Sequence, residues 1–471
     1  MSKPKSHFQA VLMAAGKGSR MTDLSDSKPK CLLPVGNFPM LYYPLSLLKK
    51  IGFTEVIVIV QEAAKSEVSN LSRKYDLDMN LDVVPLPAEH EDCGTVDSLR
   101  RVQDKLTAQT IFILSCDLFT DFHVHQLVDL HRIHSSSMTA LFTKNSLDLK
   151  SIGIPGPKVK VKRERDFIGL DLQKNTGGGQ ICYWSSEADM NEEISLRRTV
   201  LQEHPDLKIF SNLTDAHFYI FEKWVLDYVI EDESFSALKG EVLPYLIKKQ
   251  FSKTNFIEDR DIEDETTLNM KIETEKMGLE SYATHDRLDQ QKLNLSSWND
   301  HQGDMKGPYR NRSLKCFAYV SEGGTCLRAN TMQAYVELNR QITNLLPTLS
   351  HNQIGLQIHP NANVQPKAQL GLECFVGENT NIAEKTTIKS SIIGSNCKIN
   401  EKVRLTNCIV MDNVTVNSLN NISGSILCDD IQTATNCEIK DCIVSKGHVF
   451  SEGEKRSNEI LCDEEGKMME I

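Results

Sequence analysis

The chain has 471 residues, of which 40% are hydrophobic and 25% are charged, and its formal net charge is −11. This length predicts two or three domains with sizeable cores, and the composition is typical of a soluble globular protein. The negative charge argues against nucleic acid as the main ligand, and no stretch approaches the ~18 apolar residues that a membrane-crossing helix needs. The N-terminus shows no cleavage pattern, and the thirteen cysteines form no CxxC pair. We therefore expect a cytosolic protein without a signal peptide or a structural zinc site.

Apolar strands alternate with helices in the first half of the chain. Predicted strands cover residues 8–15, 56–60, 111–115, 138–142 and 217–221. Predicted helices cover residues 41–51, 97–106, 123–134, 224–230 and 241–249, with Asp97 as the cap of the second. The continuous apolar run at 56–60 is typical of a parallel sheet that is covered on both faces. This alternation predicts a doubly wound, mostly parallel α/β domain over residues 1–251.

A glycine-containing loop follows the first predicted strand. It holds Gly16, Lys17, Gly18 and Arg20, and Lys30 follows ten residues after Arg20. Glycines let a backbone approach a phosphate closely, and the cations supply the charge that a triphosphate or pyrophosphate requires. The loop therefore indicates a phosphate site, although a GxG pattern alone is weak. The alternative is that the three cations form the basic rim of a degenerate pocket.

The composition changes after residue 251. Residues 252–312 are poor in aliphatic side chains and rich in charged and amide side chains, which predicts a flexible polar linker or insertion. Order is expected to resume over residues 313–353, with a connecting strand at 316–320 and a helix at 331–345.

Aliphatic residues recur at regular intervals in the last quarter of the chain. They stand six apart from residue 358 to residue 388, and then follow steps of 6, 6 and 5 that repeat every 17 residues. One resulting column is Ile388, Leu405, Ile422 and Ile439. A repeat of this length is typical of a parallel β-helix, in which three short strands form each coil. We therefore predict a parallel β-helix over residues 354–453, followed by a tail over 454–471. The residue four places after each aliphatic is also expected to point inward, a set that includes Ile392, Ile409, Ile426 and Ile443.

Taken together, these segments resemble the sugar-phosphate nucleotidyltransferases. The matches to the family's loop pattern are Gly16, Gly18, Ser19, Arg20, Pro29, Lys30, Leu33 and Pro34. Gly94 lies in a run similar to the family's base-side turn, and Asp117 lies where the family places one magnesium-binding carboxylate. The run from Asp215 to His217 resembles a strand that contacts the sugar. The resemblance implies a Rossmann-like nucleotidyltransferase domain followed by a left-handed β-helix of hexapeptide repeats.

Two parts of the family's machinery are missing from this sequence. The run that supplies a second magnesium-binding carboxylate does not follow the segment 241–244, and the Glu-Lys-Pro run that grips the sugar phosphate is absent. Because such an enzyme holds its metal between two carboxylates, we expect no catalytic residue, no metal site and no cofactor. What is expected to remain is a vestigial nucleotide pocket made by Gly16, Gly18, Arg20, Lys30, Gly94 and Asp117. For Asp117, a metal ligand and a solvated carboxylate at a strand end are alternatives.

One branch of this family is built in this way, the nucleotidyltransferase-like subunits of translation initiation factor 2B. The resemblance implies a non-catalytic subunit of that guanine nucleotide exchange factor. It implies the epsilon subunit and the other subunits as partners, initiation factor 2 as the substrate of the complex, and no direct nucleic-acid or membrane partner. The chain stops soon after its last predicted coil, so we expect no helical exchange domain of the kind that epsilon adds. The alternative function is an active sugar-1-phosphate nucleotidyltransferase.

Overall fold

The computed structural model describes residues 7–87, 93–144, 153–157, 165–172, 177–189, 194–251, 314–321, 323–350, 357–371 and 373–461. The predicted linker at 252–312 and the end of the predicted tail lie outside these residues.

A ten-stranded sheet forms the centre of the first domain. Its order is β11-β9-β10-β13-β8-β12-β6-β1-β4-β5, and β10, β11 and β12 run opposite to the other seven strands. The strands are β1 Phe8–Ala14, β4 Glu55–Gln61, β5 Asn80–Leu86, β6 Thr110–Ser115, β8 Met138–Thr143, β9 Asp166–Leu172, β10 Gly178–Ser186, β11 Lys208–Phe210, β12 Thr214–Glu222 and β13 Cys316–Ser321. A short hairpin consists of β2 Pro34–Val35 and β3 Phe38–Pro39. A separate antiparallel pair joins β7 Leu118–Thr120 to the distant β14 Cys326–Arg328. The predicted mostly parallel α/β sheet is confirmed.

Helices cover both faces of this sheet. They are α1 Thr22–Ser25, α2 Tyr42–Ile51, α3 Lys65–Lys74, α4 Thr95–Arg100, α5 Val124–Ile133, α6 Arg198–Glu203, α7 Lys223–Glu231, α8 Leu243–Lys249 and α9 Met332–Leu349. Helix α4 begins after Gly94, so Asp97 is not its cap as predicted but the third helical residue, whose carboxylate accepts from the Gly94 N–H at 3.0 Å. Within the described residues, no helix is long and apolar enough to cross a membrane.

The first domain does not end at residue 251. Strand β13 lies between β8 and β10 inside the ten-stranded sheet, parallel to β8 and antiparallel to β10. It was predicted to be a connecting element, but its residues Phe317 and Ala318 are fully buried in the core of the first domain. The polar segment at 252–312 is therefore an insertion within the α/β domain, and not a linker between domains.

The C-terminal region is a three-sided parallel β-helix. Its first side consists of β15 Asn363–Val364, β18 Asn381–Ile382, β21 Lys398–Ile399, β24 Thr415–Val416 and β27 Gln432–Thr433. The second consists of β16 Gln369–Leu370, β19 Thr387–Lys389, β22 Arg404–Thr406, β25 Asn421–Ser423, β28 Glu438–Lys440 and β30 Lys455–Ser457. The third consists of β17 Phe375–Val376, β20 Ile392–Ile393, β23 Ile409–Val410, β26 Ile426–Leu427, β29 Ile443–Val444 and β31 Ile460–Leu461. The β-helix thus continues past residue 453 into the predicted tail.

The aliphatic columns stack as the spacing predicts. Ile388 pairs with Leu405, Leu405 with Ile422, and Ile422 with Ile439, and all four side chains are fully buried. The prediction that the residue four places after each aliphatic residue also points inward is wrong where the spacing between aliphatic residues shortens to five. Ile392, Ile409, Ile426 and Ile443 each directly precede an inward aliphatic residue in the same strand, and successive strand residues point to opposite faces. These isoleucines therefore point outward from the third side.

The outward isoleucines are nonetheless buried, because other parts of the chain cover the third side. Helix α9 lies over its first coils, where Val336 and Ile409 line the same narrow gap. Residues 153–157 lie over its last coils, where the Gly156 N–H donates to the Asp441 carbonyl at 2.7 Å. The two domains consequently share one continuous apolar core.

Helix α9 also joins the β-helix to the loop region of the first domain. The Thr331 hydroxyl caps its first turn by accepting from the Ala334 N–H at 3.3 Å. Its Tyr335 hydroxyl donates to the Pro34 carbonyl at 2.7 Å, and its Asn339 side chain accepts from the Gly36 N–H at 3.1 Å. The segment that follows the predicted phosphate loop is thereby fixed to the helix that packs on the β-helix.

Candidate functional site

The predicted phosphate loop leaves the carboxyl end of β1. Gly16 is exposed, and a Cβ atom added there would meet nothing within 4 Å. Gly18 has a φ of +75°, a conformation that favours glycine, and its carbonyl accepts from the Met21 N–H at 2.7 Å. The side chains of Lys17 and Arg20 are exposed on this loop. The loop therefore presents two cations at the surface on a turn that needs one glycine.

Asp117 lies just after β6, at the same edge of the sheet, and its side chain is fully buried. Its Oδ2 accepts from Lys30 Nζ at 2.6 Å and from Arg328 Nη2 at 3.0 Å. Its Oδ1 accepts from Arg328 Nε at 3.0 Å. The pair with Arg328 is bidentate, which is the strong geometry for a guanidinium and a carboxylate. Lys30, Asp117 and Arg328 form a charge cluster that we call the Asp117 triad.

The two cations fix the charge state of Asp117. Burial by itself raises the pKa of this carboxyl, but Arg328 and Lys30 outweigh it and hold the pKa well below its usual range. Burial lowers the pKa of Arg328, and Asp117 more than compensates, so that this pKa rises. Asp117 is therefore ionised at neutral pH, and its negative charge is matched inside the protein.

The base-side turn at Gly94 is in contact with a later part of the chain. A Cβ atom at Gly94 would lie 2.1 Å from the Ser236 carbonyl oxygen, so only glycine fits. That carbonyl accepts from the Val96 N–H at 2.8 Å, and the Thr95 hydroxyl accepts from the Leu238 N–H at 2.7 Å. Two polar groups of the turn, the Val96 N–H and the Thr95 hydroxyl, are thus hydrogen-bonded to residues 236–238.

The strand that resembles a sugar contact has a buried polar group, Asp215, near its beginning. Strand β12 has a bulge between Asp215 and Tyr219, and His217 within it has a φ of +50°. His217 Nε2 lies 3.3 Å from Asp215 Oδ2, and the Tyr219 hydroxyl donates to the same carboxylate. Burial raises the pKa of Asp215, whereas burial, followed by the charge of Arg328, lowers the pKa of His217 well below its usual value. His217 is consequently neutral at pH 7.

A third lysine of this region crosses to the β-helix. Lys28 Nζ lies 3.1 Å from Asp412 Oδ2 and 3.3 Å from Asp429 Oδ2. Burial alone lowers the pKa of Lys28, and the two aspartates raise it above its usual value. Because Asp412 and Asp429 stand one coil apart, this lysine bridges two stacked carboxylates. The segment that follows the loop is therefore held by the β-helix through Lys28 and by the Asp117 triad through Lys30.

Two family models match parts of the chain. The model described as a nucleotidyl transferase matches residues 9–151, which include the phosphate loop, the Gly94 turn and Asp117. The model described as the LbH domain of the EIF2B subunit epsilon matches residues 356–455. The expected order of a nucleotidyltransferase-like domain and a left-handed β-helix is confirmed.

Individual relatives extend this match across both domains. The translation initiation factor eIF2B subunit gamma of Dictyostelium discoideum is 27% identical over 84% of this chain and 89% of its own length. The protein of the same name from Schizosaccharomyces pombe is 28% identical over 81% of this chain and 73% of its own length. The chain is a relative of the eIF2B gamma subunits. A probable mannose-1-phosphate guanylyltransferase of Oryza sativa is 28% identical, but over only 29% of this chain and 38% of its own length.

The geometry around Asp117 differs from that of a carboxylate that is open to a metal ion. A carboxylate that binds Mg²⁺ offers its oxygens to the ion at about 2.0–2.1 Å, whereas both Asp117 oxygens here carry nitrogen donors. No group of three or more His, Cys, Asp or Glu side chains that could hold a metal occurs among the described residues. The interpretation of Asp117 as a solvated carboxylate is wrong, because the carboxylate is buried and paired inside the protein, and its interpretation as a metal ligand stays a prediction.

The sequence analysis missed the residues that complete these contacts. Arg328 lies 211 residues after Asp117, beyond the polar insertion, and no spacing rule connects them. One local signal was present, because Arg328 stands between Leu327 and Ala329 in a short apolar run. A charged side chain at such a position is rarely buried without a partner. Ser236 gave no signal, since it lies far along the chain from the turn, which it contacts through its backbone carbonyl and through a hydroxyl that donates to Asp97 at 2.6 Å.

Proposed function

We propose that this chain is a non-catalytic, regulatory subunit of an eIF2B complex, the guanine nucleotide exchange factor that exchanges GDP for GTP on initiation factor 2. The observation that carries the proposal is the Asp117 triad, in which Lys30 and Arg328 take both oxygens of the one family carboxylate that the sequence retains. The likeness to eIF2B gamma subunits over more than four-fifths of the chain supports the assignment to this complex.

The proposed lack of catalysis follows from the positions at which nucleotidyl transfer requires positive charge. Nucleotidyl transfer requires positive charge at the pyrophosphate, at the metal and at the sugar phosphate. In this chain Lys30 is committed to Asp117 and Lys28 to the β-helix. Loss of one well-placed electrostatic group typically costs about 10²–10³ in rate. The predicted vestigial pocket of Gly16, Gly18, Arg20, Lys30, Gly94 and Asp117 remains a prediction, with weak nucleotide binding at most and no cofactor.

The partners proposed are the epsilon subunit, the other eIF2B subunits and initiation factor 2 as the substrate. The β-helix matches the family model described as the LbH domain of the EIF2B subunit epsilon. This chain and the epsilon subunit would therefore contact each other through domains of the same kind. The net charge of −11 argues against direct contact with nucleic acid. A complex of this kind would work in the cytosol, as the sequence predicts.

The exchange reaction tests this proposal directly. Release of labelled GDP from initiation factor 2 is measured with an eIF2B complex assembled with this chain and with one assembled without it. We expect slower GDP release without the chain, because the chain holds the catalytic partner and the substrate in place. Equal rates for the two assemblies at equal concentrations of the epsilon subunit would contradict the proposal.

A further inference from the structure

The Asp117 triad occupies the place where this family holds a divalent cation. Asp117 has no exposed surface, and the side chains of Lys30 and Arg328 retain only 12% and 15% of theirs. Each carboxylate oxygen accepts at least one N–H at 2.6–3.0 Å. A metal ion at this carboxylate would have to displace the guanidinium and lie beside two positive charges.

Arg328 is held in this position by its backbone as well as by its side chain. Strand β14 pairs with β7 in a register that places Arg328 opposite Leu118, the residue after Asp117. The N–H of Ala329 donates to the Asp117 carbonyl at 3.0 Å, so the backbones of the two segments are joined directly beside the ion pair. The guanidinium cannot leave the carboxylate without breaking this ladder or leaving a buried charge without a partner, which is costly.

The positive charge that a metal ion would bring to Asp117 is therefore supplied by the protein itself. A divalent ion would bring two positive charges to Asp117, and Lys30 and Arg328 together bring the same number. We propose that Arg328 replaces the divalent cation on Asp117, so that this pocket binds no divalent metal and its carboxylate anchors β14 to the first domain. This inference rests on the contacts of three side chains and does not depend on membership of an exchange-factor complex.

Manganese binding to the full chain tests the proposal, with Mn²⁺ as the probe and its free concentration followed by electron paramagnetic resonance. The wild type is compared with Asp117→Asn, which keeps the shape of the side chain and removes its charge. We expect the two Mn²⁺ isotherms to coincide, because surface carboxylates alone contribute to both. A site on the wild type that binds about tenfold or more tightly than any site on Asp117→Asn would overturn the proposal.

A second variant asks whether Arg328 itself excludes the ion. Arg328→Met keeps the length of the side chain and frees Oδ1 of Asp117. We expect this variant to gain one Mn²⁺ site that is absent from the double variant Arg328→Met/Asp117→Asn, and its Tm to rise when Mn²⁺ is added. The matched control is Arg456→Met, which removes an exposed arginine paired with Glu454 at 2.8 Å and is expected to gain no site.

The outcomes separate cleanly. A folded Arg328→Met variant that gains no Asp117-dependent site would contradict the role given to Arg328. If that variant does not fold by circular dichroism, Arg328→Lys is used, since a lysine cannot reproduce the bidentate pair and leaves one oxygen open. The wild-type isotherm remains decisive in every case, because a tight site on the unmodified chain that Asp117→Asn abolishes sinks the proposal.

Discussion

Single side chains in the pocket region are held by charge rather than by packing. The Asp117 triad buries three charged groups around one carboxylate, and each group depends on the others. Removal of one partner from a buried ion pair leaves an uncompensated charge, at a cost of about 3–5 kcal/mol. An exposed ion pair contributes about 0–1 kcal/mol, because water and salt screen it.

The first prediction concerns Arg328. The change Arg328→Met is expected to lower the free energy of unfolding by about 3–5 kcal/mol, because Asp117 then keeps only Lys30 as a partner. The exposed Arg456→Met is expected to change it by less than about 1 kcal/mol. Urea denaturation of both variants beside the wild type measures the difference. Equal effects of the two changes would show that the triad is not a buried, mutually dependent cluster.

The second prediction concerns pH and His217. The folded protein keeps His217 neutral, since its pKa lies well below the usual value, whereas the unfolded chain protonates it below about pH 6.5. Its contribution to stability is therefore complete above pH 6.5 and is lost as the pH falls below that value, by at most about 1.4 kcal/mol per pH unit. Asp215, Arg328, Lys239, Asp117 and Lys30 are the charged groups that act on it.

The variant His217→Asn tests whether His217 lowers the stability of the protein as the pH falls. Asparagine tolerates the left-handed backbone at this position and does not titrate. We expect the stability of the variant to fall less steeply than that of the wild type between pH 6.5 and pH 5 in urea denaturation. Parallel curves for the two proteins over that range would show that His217 does not contribute.

At the scale of elements, the third side of the β-helix carries the contact between domains. Its inner column fills the β-helix, and its outer column of isoleucines packs under α9 and residues 153–157. On the first side, by contrast, the outward-pointing Gln432 is exposed, and Val449, which bridges to it, retains 67% of its surface. One side of the triangular coil is thus an internal interface.

The third prediction separates these two sides. Ile409→Ala is expected to destabilise the chain by about 2–5 kcal/mol, the usual range for a buried isoleucine. Val449→Ala is the matched control on the uncovered side, and we expect a change within about 0.5 kcal/mol. Thermal or urea unfolding of the two variants provides the measurement. A small effect of Ile409→Ala would mean that α9 does not pack on this side in solution.

The fourth prediction concerns Lys28. The change Lys28→Met leaves Asp412 and Asp429 one coil apart without their shared cation. We expect faster amide hydrogen exchange in residues 21–33 and a loss of stability of about 1–3 kcal/mol, the cost of leaving a partly buried polar group without its partner. Lys367→Met, which removes an exposed lysine 3.0 Å from Glu384, is the control. Unchanged exchange in the loop would remove Lys28 from its role as a domain contact.

Elements of the fold were predictable from the sequence wherever a regular spacing of apolar residues indicates which side chains are buried. The 17-residue repeat placed the column of Ile388, Leu405, Ile422 and Ile439 because each coil repeats the same environment. The same counting failed at Ile392, since a step of five residues changes which face a side chain takes. The position of β13 could not be predicted, because its pairing with β8 and β10 joins segments far apart in the chain.

In the candidate site, too, local motifs were predictable from the sequence and long-range contacts were not. The loop, the Gly94 turn and Asp117 were recognisable as local motifs. Their state depends on Arg328, Ser236 and Asp412, which reach them across more than a hundred residues. A local motif therefore indicated the ancestry of the pocket, and long-range contacts decide whether it can still act.

For the molecule as a whole, the fifth prediction is the absence of nucleotidyl transfer. We expect no pyrophosphorolysis of GDP-mannose or other common nucleotide sugars by the full chain in excess Mg²⁺, because Lys30 and Asp117 are committed to the internal ion pairs of the triad. Formation of GTP and mannose 1-phosphate from GDP-mannose and added pyrophosphate measures the reaction. Turnover near the usual ~10 s⁻¹ of enzymes, abolished by Asp117→Asn, would restore the enzyme interpretation.

Assembly is the central claim about the whole molecule, and native purification tests it most directly. The full chain is tagged at its native expression level, purified under mild conditions, and its partners are identified by mass. We predict a stoichiometric complex that contains the epsilon subunit and further eIF2B subunits. A chain that elutes as a stable monomer, and that binds no epsilon subunit at micromolar concentration, would contradict the account.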